Sequence, residues 1–177
     1  FTVSLLNCLY KYKNKKISKK QLSEKSIYIE QKILGETVGS QDQVSTSYGG
    51  LNKIKFFKRN SFQVNKVNIS KNQLKEFSEN LLLFHTGIFR IANNVSKTYV
   101  SKFEKHFYYY EELFNLVNVG IKLLRSNDFD EFGKTLHKAW TLKKSISNRI
   151  SNNKIDDIYQ NAISSGAIGG KLLGAGG

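Results

Sequence analysis

The stretch Ile29–Asn52, IEQKILGETVGSQDQVSTSYGGLN, carries both of the carboxylates that decide how this chain reads. Glu30 lies on a helical stretch predicted over roughly residues 19–34, which opens after Ser18 and stops at Gly35. Its apolar stripe is Leu22, Ile29 and Ile33, with Ile27 and Leu34 beside it. Glu30 stands between Ile27 and Leu34, so it is expected to be half-buried, and a half-buried acid needs a partner. That partner is a lysine or a divalent ion. Asp42 lies in the polar string GSQDQ, where it suits the N-cap of the element that follows, with Val44 and Tyr48 turned inward. Spacing alone favours a structural role for both acids.

Working outward, the flanks alternate between helical and strand patterns. Upstream, Leu6, Leu9 and Tyr10 fall on one face of a first helix, and Cys8 is expected to be a small core residue on it. Downstream, Ile54 and Phe56, then Phe62 and Val64, alternate with polar residues around Lys58–Ser61, which reads as a β-hairpin. Lys71–Asn80 is a polar helix and Leu81–Phe84 a short buried strand. Tyr110, Leu113, Phe114, Val117, Ile121 and Leu124 recur at helical spacing. Asp128 and Glu131 form a capping box for a helix carrying Phe129, Phe132, Leu136 and Trp140. Ile155, Ile158, Tyr159 and Ala162 mark a last helix. Ser165–Gly177 holds six of the thirteen glycines, too many for a helix. It is expected to turn, to form a short strand at Lys171–Leu173, and to bring its backbone close to something, an anion or otherwise; a glycine-rich unstructured tail explains it equally well.

Composition narrows the classes. The 177 residues suffice for one ordinary domain or two small ones, and 40% hydrophobic residues exclude a disordered chain. One cysteine excludes an internal disulfide framework and a cysteine-based zinc cluster. Leu81–Phe84 is the longest apolar run, far below the roughly 18 residues that span a bilayer. With no secretory signal pattern in its first residues, the cytoplasm is the expected compartment. A net charge of +14 invites a nucleic-acid partner. The lysines are nevertheless spread along the chain without interleaved aromatics, so a nucleic-acid-binding module is the weaker reading. His85, His106 and His137 have no metal-ligand spacing and are expected to be structural.

Three blocks in order resemble the GHMP family of small-molecule kinases, which includes galactokinases, homoserine kinases and mevalonate kinases. They are FTVSLLNCLY (Phe1–Tyr10), the Ile29–Asn52 stretch, and GAIGGKLLGAGG (Gly166–Gly177). GSQDQ with YGGLN, HTGIFRIA (His85–Ala92) and AWTLKKSIS (Ala139–Ser147) point to the subgroup acting on D-glycero-D-manno-heptose 7-phosphate. The resemblance implies an α+β fold in two parts. Residues 1–67 would close an incomplete N-terminal part like ribosomal S5 domain 2, and 68–177 would form an incomplete ferredoxin-like C-terminal part, with ATP and sugar in the cleft between them. It implies that Asp42 is the catalytic carboxylate and Glu30 the magnesium ligand. It further implies that Gly174, Ala175, Gly176 and Gly177 lie near the nucleotide and substrate phosphates. ATP and Mg2+ are the implied cofactors, a sugar phosphate the implied substrate, and Arg90 and Lys143 the implied candidates for sugar recognition. The alternative within the same resemblance is a relative that binds sugar or nucleotide without turnover.

The family's glycine- and serine-rich phosphate loop precedes a helix like Phe1–Tyr10, and that loop supplies the amides that hold the triphosphate. The chain is therefore read as a fragment, which its lack of methionine also suggests. Purified residues 1–177 are expected to show no sugar-dependent ADP release in a coupled kinase assay; robust turnover would refute the reading.

Overall fold

The computed structural model describes residues 1–58, 61–88 and 104–173. The backbone divides into two units, Phe1–Val67 and Asn68–Gly177.

In the first unit, α1 (Thr2–Tyr12), α2 (Lys19–Tyr28) and α3 (Gln41–Tyr48) pack on one another. Ser18 and Gln21 form a reciprocal capping box at the start of α2, which satisfies two of its orphan N–H groups. Ser23 and Ser26 are fully buried on α2. Each hydroxyl donates to its own helix, to Lys19 O at 2.9 Å and Leu22 O at 2.8 Å, so these small side chains are buried without an unpaired polar atom. Val3, Leu22, Ile27, Val44 and Val67 complete the core. Lys19 Nζ donates to Tyr48 O at 2.6 Å, placing a cation at the C-terminus of α3, where the helix dipole favours it.

The expected hairpin forms as β1 (Asn52–Phe56) and β2 (Phe62–Lys66), antiparallel, with Ile54 opposite Val64 and Phe56 opposite Phe62. Tyr48 meets Phe62 edge-on at 6.2 Å, which ties α3 to the hairpin. Two expectations fail in this unit. Cys8 is exposed rather than in the core, and Ile33 is 64% exposed because the helix changes pitch before it.

The second unit is helical among its described residues: α4 (Lys71–Glu79), a 3-10 turn (Glu104–His106), α5 (Phe107–Ser126), α6 (Phe129–Ile146) and α7 (Asn153–Ser164). Asn127 in the left-handed conformation ends α5, and the Asp128 side chain accepts from Glu131 N to start α6. This tight link packs α5 on α6, with Gly120 against the Phe132 ring. Phe77 of α4 meets Phe129 at a tilt, 5.7 Å between ring centroids, and Phe132 edge-on at 5.3 Å. Trp140, Ile146, Ile150 and Ile155 form the core, joined by Tyr110, Leu113, Tyr159 and Leu172. Trp140 is 1% exposed, and burying an indole of that size contributes roughly 4–6 kcal/mol before entropy is counted.

The expected strand at Leu81–Phe84 is absent. The segment has no regular structure and Leu83 is 85% exposed, since no neighbouring strand is present among the described residues to pair with it. Phe114 and Val117 are likewise exposed on α5, so only part of its predicted stripe is buried. Lys171–Leu173 runs as a loop rather than a strand.

Glycine orders the segment after α7. Gly166 at φ +100° closes a Schellman motif, with Gly166 N bonded to Ile163 O and Ala167 N to Ala162 O, both at 3.0 Å. The chain then lies on α6. A Cβ at Gly169 would stand 2.0 Å from the Gly133 carbonyl oxygen, and one at Gly133 would stand 3.0 Å from Ile168. The segment packs so closely on α6 that Gly169 leaves no room for a Cβ, so this part of the glycine-rich end is docked rather than an unstructured tail. Gly169→Ala is expected to cost at least about 1–3 kcal/mol by overpacking. Gly39→Ala, with open space around it, is expected to stay within about 0.5 kcal/mol. Thermal or urea unfolding of the two variants checks the contrast.

Candidate active site

Glu30 sits where α2 changes pitch. Residues Ile29–Ile33 form a single π turn, with Leu34 N bonded to Ile29 O and Glu36 N bonded to Glu30 O, both at 2.9 Å. Such wide turns inside helices recur at functional sites, because the extra residue swings neighbouring side chains off the regular helical stripe. Gly35 at φ +65° then reverses the chain. Gln31 holds the following loop, its Nε2 donating to Val38 O at 2.9 Å and to Ser40 Oγ at 3.1 Å. The loop delivers the chain to α3, whose first turn carries Asp42.

Across this loop Gln43 Nε2 donates to Glu30 Oε2. Gln43 is 5% exposed, between the wholly buried Val44 and its own backbone carbonyl, which accepts from Ser47 Oγ at 2.7 Å. A hydrogen bond to a carboxylate contributes about 1.5–3 kcal/mol, and a buried acceptor left unmade costs about 1–3 kcal/mol. Gln43 shows both, because its Oε1 is buried without a partner among the described residues. Glu30 is half-buried, as its sequence neighbours predict. Its observed protein partner is an amide rather than the lysine that the sequence allows. Asp42 is exposed, one residue into the first turn after Gln41 rather than at the N-cap, and makes no hydrogen bond or ion pair among the described residues. The helix dipole favours a carboxylate there. The bond to Gln43 therefore brings Glu30 to the residue beside Asp42.

The donor set suits a magnesium ion only in one manner. No cluster of three or more His, Cys, Asp or Glu side chains exists among the described residues. A protein cage is thus absent from them, but Mg2+ bound to a nucleotide commonly takes one carboxylate and completes its shell with phosphate oxygens and water. Glu30 fits that single-carboxylate role.

A second group of polar side chains lies on the other unit. Burial pushes the Lys143 amine down to about 8, with the Lys171 charge adding to the effect, and burial also lowers Lys171. Gly169 on α6 and Leu172 against the Trp140 core run the 169–172 segment along α6 toward Lys143. His137 Nδ1 and Tyr159 Oη are hydrogen-bonded at 2.7 Å with their rings stacked, and burial raises the Tyr159 phenol against a bond from the Gly170 backbone. His137 thus has the structural place expected of it. Two cations drawn together attract an anion. Gly174, Ala175, Gly176, Gly177 and Arg90 lie outside the described residues. Gln43 and Lys171 were not singled out by sequence reading. Gln43 stood in the quoted motif, but nothing in its spacing told a buried amide from a solvated one.

Residues 121–177 match the family described as GHMP kinases C terminal. The D-glycero-alpha-D-manno-heptose 7-phosphate kinase of Campylobacter jejuni is 29% identical over 179 residues, which takes in 98% of this chain and 52% of that protein. The crystal structure of a D-glycero-D-manno-heptose 1-phosphate kinase from Bacteroides thetaiotaomicron aligns with 98% of this chain and 48% of its own, at a TM-score of 0.64 and 22% identity. The chain has that α+β fold, and it spans about half the length of each of these two proteins.

The lowered Lys143 amine is checked by competitive acetylation followed by peptide mass spectrometry. Half-maximal modification of Lys143 is expected near pH 8, well below the ordinary lysine range. Below that pH the amine carries its charge and is protected by protonation; above it the neutral, nucleophilic form dominates.

Proposed function

We propose that the complete protein containing this chain is an ATP-dependent sugar kinase of the GHMP class. It transfers the γ-phosphoryl of ATP to a hydroxyl of a heptose phosphate, and its product feeds nucleotide-sugar synthesis for surface polysaccharide. The observation that carries the reading is the likeness to the Campylobacter heptose 7-phosphate kinase, which covers 98% of this chain and so runs through both units. With ATP as donor the work belongs in the cytoplasm, and no helix among the described residues is long and apolar enough to cross a membrane.

Phosphoryl transfer demands in-line placement of donor and acceptor and neutralisation of charge on the phosphoryl oxygens. When bound, Mg2+ supplies part of that positive charge. Glu30 offers the carboxylate that would hold it, fixed by the amide of Gln43. Asp42 orients the sugar hydroxyl and accepts its proton as the oxygen attacks; its exposure in the first turn of α3 leaves it open to a substrate. Gly174, Ala175, Gly176 and Gly177 donate backbone N–H groups to phosphate oxygens with no side chain in the way. Lys143 and Lys171 add a positive field suited to a phosphate, and Lys143 contacts the sugar phosphate.

In the complete protein, Asp42→Asn is expected to lower kcat by about 10²–10⁴, with KM for the heptose phosphate changed only a few-fold. Steady-state kinetics with a circular dichroism control measure it. A kcat near wild type removes Asp42 from the chemistry.

A further inference from the structure

The Gln43 side chain is buried and reaches across the loop to Glu30, and its other polar atom has no partner among the described residues. A buried amide that served packing alone would be replaceable by an apolar group of equal size, with no orphaned oxygen. Helix α3 holds Gln43 firmly, through Val44 beside it and the Ser47 hydroxyl on its carbonyl. Glu30, by contrast, leaves a π turn, where the regular ladder of helical neighbours is interrupted. Its carboxylate oxygen therefore takes its direction from outside its own helix, and among the described residues Gln43 is the group that bonds it.

We infer that Gln43 is a positioning residue for Glu30: its amide N–H occupies one carboxylate oxygen and turns the remaining lone pairs toward a divalent cation. The inference rests on the proposed role of Glu30 as the cation ligand. Partners that orient a metal-binding carboxylate typically affect metal affinity by 10–100-fold. Asp42 is the adjacent residue on α3, so the same short helix that carries the proposed base also sets the aim of the proposed metal ligand.

The test uses the complete protein, Mn2+ as a paramagnetic stand-in for Mg2+, and a non-hydrolysable ATP analogue, with bound Mn2+ read by electron paramagnetic resonance. Gln43→Met keeps the volume and removes the donor. It is expected to weaken Mn2+ binding about tenfold, with the affinity for the sugar phosphate unchanged. Glu30→Gln is expected to weaken it as much, and Gln43→Met is expected to add nothing in the Glu30→Gln background. If Glu30→Gln leaves Mn2+ binding intact, the reading of Glu30 as a ligand fails and the inference fails with it. If Glu30→Gln weakens binding while Gln43→Met does not, or the two losses add, the positioning role alone is overturned. Gln43→Leu, which also lacks the donor, answers the question if the methionine variant does not fold: Mn2+ binding about tenfold weaker is expected, and unchanged Mn2+ binding overturns the inference.

Discussion

A helix that loosens by one residue lets the first unit bring Glu30 to the amide of Gln43. Had α2 continued with regular pitch through Ile33, Glu30 would have stayed in the α-helical stripe with Ile27 and Leu34. The π turn releases it, Gly35 reverses the chain, and Gln31 pins the loop so that α3 starts beside it. The Gln43–Glu30 bond then closes the structure across that loop. Each element depends on the one before. Without the reversal the buried amide has no carboxylate, and without the amide the carboxylate has no fixed direction.

The second unit has a comparable constraint in backbone rather than side chain. Gly133 and Gly169 meet where a Cβ on either would collide, so the segment after α7 can lie flat on α6. That contact sets Leu172 into the core around Trp140 and carries Lys171 toward Lys143. Glycine density at this end therefore has two physical causes. One is the close docking of residues 166–170, which is structural. The other, proposed for Gly174, Gly176 and Gly177, is the approach of phosphate.

Much of the fold is legible in the residues alone. Period-two alternation at Ile54, Phe56, Phe62 and Val64 foretells the hairpin and its register, because each strand has one face to bury. Ser18, Asp128 and Gly35 mark helix ends by the hydrogen bonds or dihedrals their residue types supply. Leu81–Phe84 misleads for a physical reason: an apolar run reports a tendency to be covered, and says nothing about whether a partner strand lies beside it. Cys8 and Phe114 mislead in the same way, since helical spacing defines a stripe but not how wide a neighbour will cover it.

For the site, the family resemblance pointed to Glu30 and Asp42, and the sequence anticipated the half-burial of Glu30 that the structure shows. It also determined where the helices begin and stop, since caps, glycine dihedrals and side-chain periodicity act over a few residues. Only the tertiary structure selected Gln43 as the partner of Glu30, Gly133 as the seat of Gly169, and Lys171 as the neighbour of Lys143. Those pairings span 13, 36 and 28 positions. Contacts at such separations are decided by how packed elements bring surfaces together, and no local pattern of residues encodes them.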